Sequence, residues 1–160
     1  MLTLDRRMPP GTPATGTLTL ACEARRRSRQ KVVLDDGEEA GVMLSWGETL
    51  RHGDLVGSAS GRVVRIVAAH EPVMLVHASH ARELARVAYH LGNRHVPVEV
   101  GEGTLKISPD HVLRAMVEGL GAQVELATQP FEPEAGAYGG HGHGPAGPRF
   151  GPASGTKQVS

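Results

Sequence analysis

Up to residue 70 the chain alternates short apolar runs with turn residues, and no helical period fits it. Leu18 and Leu20 stand between polar neighbours, and Val32-Val33-Leu34 runs into Asp35-Asp36-Gly37, a hairpin-type turn, before Gly41-Val42-Met43-Leu44. Gly57-Ser58-Ala59-Ser60-Gly61 separates Leu55-Val56 from the β-branched run Val63-Val64-Arg65-Ile66-Val67. These patterns predict a small, mostly antiparallel β domain over residues 1–70. His70-Glu71-Pro72 then predicts a hinge, because a residue before proline is pushed out of the helical region.

From residue 73 to 128 the pattern changes. Val73-Met74-Leu75-Val76 reads as an apolar strand. Ser79 is placed to cap a helix with Leu84, Val87, Ala88 and Leu91 on one face, ending at Gly92. Val96, Val98 and Val100 alternate, as do Leu105 and Ile107 beyond the turn Gly101-Glu102-Gly103. Ser108 and Pro109 then predict the cap and first position of a second helix. Its stripe is Val112, Leu113, Met116, Val117 and Leu120, Gly119 or Gly121 stops it, and Val124 and Leu126 form a last strand. The order β-α-β-β-α-β is the split pattern of ferredoxin-like domains, so the fold class is α+β. Such a sheet can bury one face under two helices and leave the other for solvent or a partner. Residues 129–160 are rich in Pro, Gly and Ala with little to bury, which predicts a flexible tail that cannot offset its ordering entropy of about 1–2 kcal/mol per residue.

Composition narrows the function. The 160 residues are 39% hydrophobic and 21% charged, with 17 basic residues against 17 acidic ones. No net field draws the chain to nucleic acid or membrane. Aromatic residues are few (Trp46, Tyr89, Phe131, Tyr138 and Phe150), which argues against stacking single-stranded RNA. Cys22 is alone, so neither an internal disulfide nor a thiolate-built zinc site can form. The opening residues lack the apolar core of a signal peptide, and no stretch approaches about 18 apolar residues. The cytoplasm is the expected compartment.

The chemistry lies in the histidines. His95, in Gly92-Asn93-Arg94-His95-Val96-Pro97, sits between a helix end and a strand, where a surface role and a metal-ligating role both fit. His141-Gly142-His143 places two imidazoles two residues apart, close enough to chelate one ion, and fits a solubilising tail equally well. His111, in the first turn of the second helix, faces a dipole that disfavours imidazolium and leaves a neutral nitrogen for metal. It fits an exposed helix start too. His90 reads as structural, and His52, His70, His77 and His80 have no chelating partner at a useful spacing. No nucleophile elbow, phosphate loop or His-Glu-x-x-His is present. The basic run from Arg25 to Lys31 suits either a grip on an acidic partner or phosphate, or a solvated strand entrance.

Three stretches resemble a known family. Tyr89-His90-Leu91-Gly92-Asn93-Arg94-His95-Val96-Pro97, Asp110-His111-Val112-Leu113, and Pro130-Phe131-Glu132-Pro133-Glu134-Ala135-Gly136-Ala137-Tyr138-Gly139 with its following histidines are similar to the UreE urease accessory proteins. Lys31-Val32-Val33-Leu34-Asp35-Asp36-Gly37 resembles the family's first domain. The resemblance implies a nickel metallochaperone, not an enzyme. It implies a homodimer in which two copies of His95 share one Ni2+, with His141 and His143 completing the shell; nitrogen ligands alone leave Zn2+ or Cu2+ able to compete. It also implies hand-over to a urease accessory GTPase and the urease apoprotein, with no nucleic acid and no membrane. Two departures matter: Pro109 stands where some members have a further histidine, which weakens an auxiliary site at His111, and the two-histidine tail does not suit storage of many ions. A metal-dependent hydrolase would need a fixed general base beside an open metal position, and none accompanies His95. A peptide-binding or chaperone-like module with an inert tail is the other alternative.

Overall fold

The structure, a computed structural model, describes residues 1–136. Its α+β fold has two hydrophobic cores joined by a third, smaller cluster. The first half contains β1 (Leu2–Leu4), β2 (Arg6–Arg7), β3 (Gly16–Leu20), α1 (Cys22–Arg25), β4 (Arg29–Val33), β5 (Glu39–Met43), β6 (Leu55–Gly57) and β7 (Val63–Ala68). Two sheets, ordered β1-β5-β4 and β2-β6-β7-β3, share a core to which Leu4, Val42, Leu18, Val56, Val64 and Ile66 contribute. The expected hairpin joins β4 to β5, with Gly37 at φ 93° in its turn.

Two local expectations fail here. β1 pairs with β5, and β3 with β7, in parallel. Parallel pairs need long connections, which alternation within each strand does not reveal. The chain also makes one helical turn at α1, too short to carry an amphipathic period.

The second half contains β8 (His70–His77), α2 (Ala81–Asn93), β9 (Glu99–Val100), β10 (Thr104–Ile107), α3 (His111–Gly119) and β11 (Gln123–Pro130). The sheet order is β11-β8-β10-β9 and every pair is antiparallel, the arrangement predicted from the split pattern. Val87 and Leu91 of α2 and Val117 of α3 cover Met74, Val76, Leu105 and Ile107. Val112 departs from its predicted stripe and is exposed.

The expected hinge is absent. Only Ala69 separates β7 from β8, and β8 runs through Pro72. β10 pairs with β8 only from Met74 onward, so Pro72 stands where the strand has one neighbour and a missing N–H is tolerated. The caps also move. His80, not Ser79, caps α2 through Nδ1, which accepts from the Glu83 amide; Ser79 instead donates its amide and hydroxyl to the Glu83 carboxylate. Asp110, not Ser108, caps α3 and takes the amides of Val112 and Leu113.

The tail boundary at 129 is too early. β11 continues to Pro130, and Phe131, 1% exposed, packs with Cys22 and Val73 in the third cluster, with Leu75 and Ala127 beside them. The face of the sheet left open by the sequence pattern is thus partly covered by the first half. Arg25 belongs to this seam and not to a solvated basic run, since it is 2% exposed. Its guanidinium donates to the Phe131 carbonyl, to Glu132 Oε1 at 3.0 Å and to the Leu20 carbonyl at 3.1 Å. Arg51 reaches the Pro133 carbonyl at 2.8 Å, and the Glu132 amide donates to Glu99 Oε1 at 2.7 Å. Residues 131–134 are therefore strapped across the joint between the two halves.

Candidate metal centre

His95 occupies an unusual backbone position. Helix α2 runs through Gly92 to Asn93, with Arg94 as C-cap, so the glycine expected to stop the helix lies inside it. The stop is made instead by His95, whose φ is +55°. Its amide donates to the Gly92 carbonyl at 3.0 Å, and the Val96 amide to the Leu91 carbonyl at 3.2 Å. Together these bonds form a Schellman motif, in which the left-handed residue is usually glycine because a Cβ costs free energy there. Val96 and Leu91 lie in the same apolar cluster, the hydrophobic contact that accompanies the motif. The histidine is exposed and held by a rigid turn.

Beside it is an open depression of about 310 Å3, lined by Arg94, His95, Val96, Pro97, Ser108, Pro109, Asp110 and Leu113. The two motifs of the sequence, around His95 and around Asp110, thus meet in space. His111 is exposed at the first position of α3 and is not part of this lining. His141 and His143 lie outside the described residues.

The other histidines divide by what they touch. His80 and His52 use Nδ1 to accept backbone amides, His52 from Ala68 at 3.1 Å. His77 Nε2 lies 3.0 Å from Glu125 Oε2, and His90 lies edge-on to Tyr89 at 5.3 Å between centroids. His70, His95 and His111 make no side-chain hydrogen bond among the described residues. No group of three or more His, Cys, Asp or Glu is placed to hold a metal ion among the described residues. At the depression, the described residues of one chain therefore present His95 as a lone imidazole with no chelating partner.

Asp110 lines the depression. The Leu113 amide, first, and then the Val112 amide, with the charges of His111 and Arg94, keep its carboxyl below the usual carboxylate range. A carboxyl lowered in the folded state stabilises above its unfolded pKa, and the gain is lost as pH falls through the folded value. Asp110→Ala is expected to lower the melting temperature at pH 7, and the difference from wild type should shrink below about pH 4. Thermal denaturation across that range checks it; a difference independent of pH would refute the charge contribution. The sequence missed this residue as a cap because Ser108-Pro109 offers a competing start signal two residues earlier.

Comparison with known proteins supplies a frame. The family model for the UreE urease accessory protein N-terminal domain matches residues 3–69, and that for the C-terminal domain matches residues 71–154. The urease accessory protein UreE of Alkalilimnicola ehrlichii is 53% identical over 140 residues, covering 88% of this chain and 86% of its own. Its counterpart in Burkholderia thailandensis is 52% identical over 153 residues, covering 89% of this chain and 72% of its own. The Burkholderia mallei protein is 50% identical over 153 residues, covering 89% of this chain and 75% of its own.

Proposed function

The chain belongs to the UreE family of urease accessory proteins, which carries a role in urease maturation, and from that premise we propose that it is a homodimeric nickel carrier and not an enzyme. His95 from each of two copies grips one Ni2+, and His141 and His143 complete and exchange the shell. The observation that carries this reading is the exposed imidazole of His95 at a positive φ where glycine would be more stable. Strain of this kind persists where a side chain is needed. The cargo then passes to a GTP-hydrolysing accessory protein and the urease apoprotein, in the cytoplasm; no helix among the described residues is long and apolar enough to cross a membrane.

Chain reach supports the tail's part. The Glu134 amide donates to the Val98 carbonyl at 2.8 Å, three residues beyond His95. His141 is seven residues beyond Glu134, a span of up to about 25 Å, whereas Val98 lies within about 11 Å of His95 along the chain. The tail imidazoles can therefore meet the ion without any rearrangement of the fold. Imidazole ligands without a thiolate give moderate affinity, on the order of micromolar, which suits release. The same ligands admit Zn2+ and Cu2+ as competitors.

Calorimetric titration of the full-length dimer with nickel tests the reading. About one tightly held ion per two chains is expected, from one fixed imidazole per chain. A chain ending at Gly136 should keep most of this binding and release nickel faster. Several tight ions per chain, or nickel bound by a monomer as tightly as by the dimer, would overturn it.

A further inference from the structure

We propose that Tyr138, in this chain's own C-terminal segment, seats its ring in the depression beside His95 and anchors the segment there. The seating of the ring requires no metal, whereas its effect on His141 rests on the nickel reading.

The depression of about 310 Å3 has an apolar wall made by Val96, Pro97, Pro109 and Leu113. Val96 and Leu113 pack against the second core and are only partly buried, so each keeps some surface free. The polar groups beside them are Arg94 and Asp110. The Val112 and Leu113 amides both donate to Asp110 Oδ1, which leaves Oδ2 without a hydrogen-bond partner among the described residues. Arg94 has no carboxylate within salt-bridge distance among them. An apolar slot with one free acceptor and one free guanidinium is complementary to a phenol. The ring covers the wall, the hydroxyl donates to Oδ2, and the cation stands over the ring face.

The strap brings the segment to this place. The Glu134 amide donates to the Val98 carbonyl at 2.8 Å, and Val98 directly follows Pro97 of the wall. Tyr138 is four residues beyond Glu134, a span of up to about 14 Å. Between Phe131 and Phe150 it is the only large hydrophobic side chain. Gly139-Gly140 follows it, so no side chain obstructs the turn out of the slot. His141 is then within about 10 Å of the anchored residue, and His95 lines the same depression. A second copy is a poorer occupant, because a two-fold contact sets depression against depression and fills neither. A separate partner must displace a segment whose effective concentration is on the order of millimolar.

Fluorine NMR of the metal-free, full-length protein labelled with 3-fluorotyrosine tests the seating. The chain has two tyrosines, and Tyr89→Phe assigns the pair. The Tyr138 resonance is expected away from that of a labelled synthetic peptide of residues 135–143, and shielded from a soluble gadolinium chelate. Pro109→Asp, at an exposed wall position, should return it to the peptide position and remove the shielding. In the nickel-loaded protein, Tyr138→Ala should speed release to a chelator by about tenfold with His141 and His143 intact. A seated Tyr138 in a protein that holds no nickel would uphold the anchor and remove the carrier reading. A Tyr138 resonance at the peptide position, one that Pro109→Asp leaves unmoved, or seating lost on dilution, which belongs to contact with a second copy, would overturn the proposal. Nickel release unchanged by Tyr138→Ala would overturn the anchor's part in holding the ion.

Discussion

His95→Gly is expected to make the protein more stable and, in the proposed nickel carrier, to weaken nickel binding sharply. At φ +55° a residue with a Cβ costs about 1 kcal/mol relative to glycine, and the Schellman hydrogen bonds that surround His95 come from backbone atoms that glycine keeps. The melting temperature should rise by a few degrees, the usual size for a gain of about 1 kcal/mol. Nickel affinity should fall by about 100-fold, roughly 3 kcal/mol, because one substitution removes an imidazole from each of two chains. His95→Ala provides the contrast: it loses the metal equally but keeps a Cβ at positive φ and gains no stability. Thermal denaturation and calorimetry on the three proteins decide the matter. A glycine variant no more stable than wild type would remove the strain argument, and one that binds nickel unchanged would remove His95 from the site.

The second large effect falls on Phe131. Its ring fills the seam with Cys22 and Val73, and Arg25 takes its carbonyl. Phe131→Ala should destabilise by about 3–5 kcal/mol, the range for emptying a buried aromatic site. That is a large share of the stability of an ordinary domain, about 5–15 kcal/mol. Urea denaturation measures it, and a loss below about 1 kcal/mol would show that the seam collapses without cost. In the unsubstituted protein, chymotrypsin offers a second readout of the seam, since cleavage after Phe131 requires this buried residue to come out.

How far these features could be read from the chain depends on the range of the interaction. The stripe Leu84-Val87-Ala88-Leu91 and the alternation at Leu105 and Ile107 are set by which face a residue turns to the core, and both are local periodicities. The split strand order follows from them. Parallel pairing of β1 with β5 depends on distant segments and leaves no such trace. Caps are decided by competition among adjacent polar residues, and His80 and Asp110 prevail over Ser79 and Ser108 once their neighbours' hydrogen bonds are counted. Arg25 looks like one more cation in a basic run, and Phe131 like a lone aromatic in a Pro-rich segment. Each has meaning only through the other's half of the molecule. His95 stood out by its motif, but its left-handed backbone did not. The one hint was a helix whose last glycine comes three residues too early for the left-handed position.

In the proposed nickel carrier, the strap over residues 131–134 has a consequence for the part given to His141 and His143. A tether that begins at a fixed point and ends a few residues later confines its imidazoles to a small volume, with an effective concentration on the order of millimolar. That concentration depends on where the tether starts. Arg25 and Arg51 hold its origin, and both belong to the β-rich first half. In a nickel carrier of this build, the first half sets how often a tail imidazole meets the ion while contributing no ligand to it.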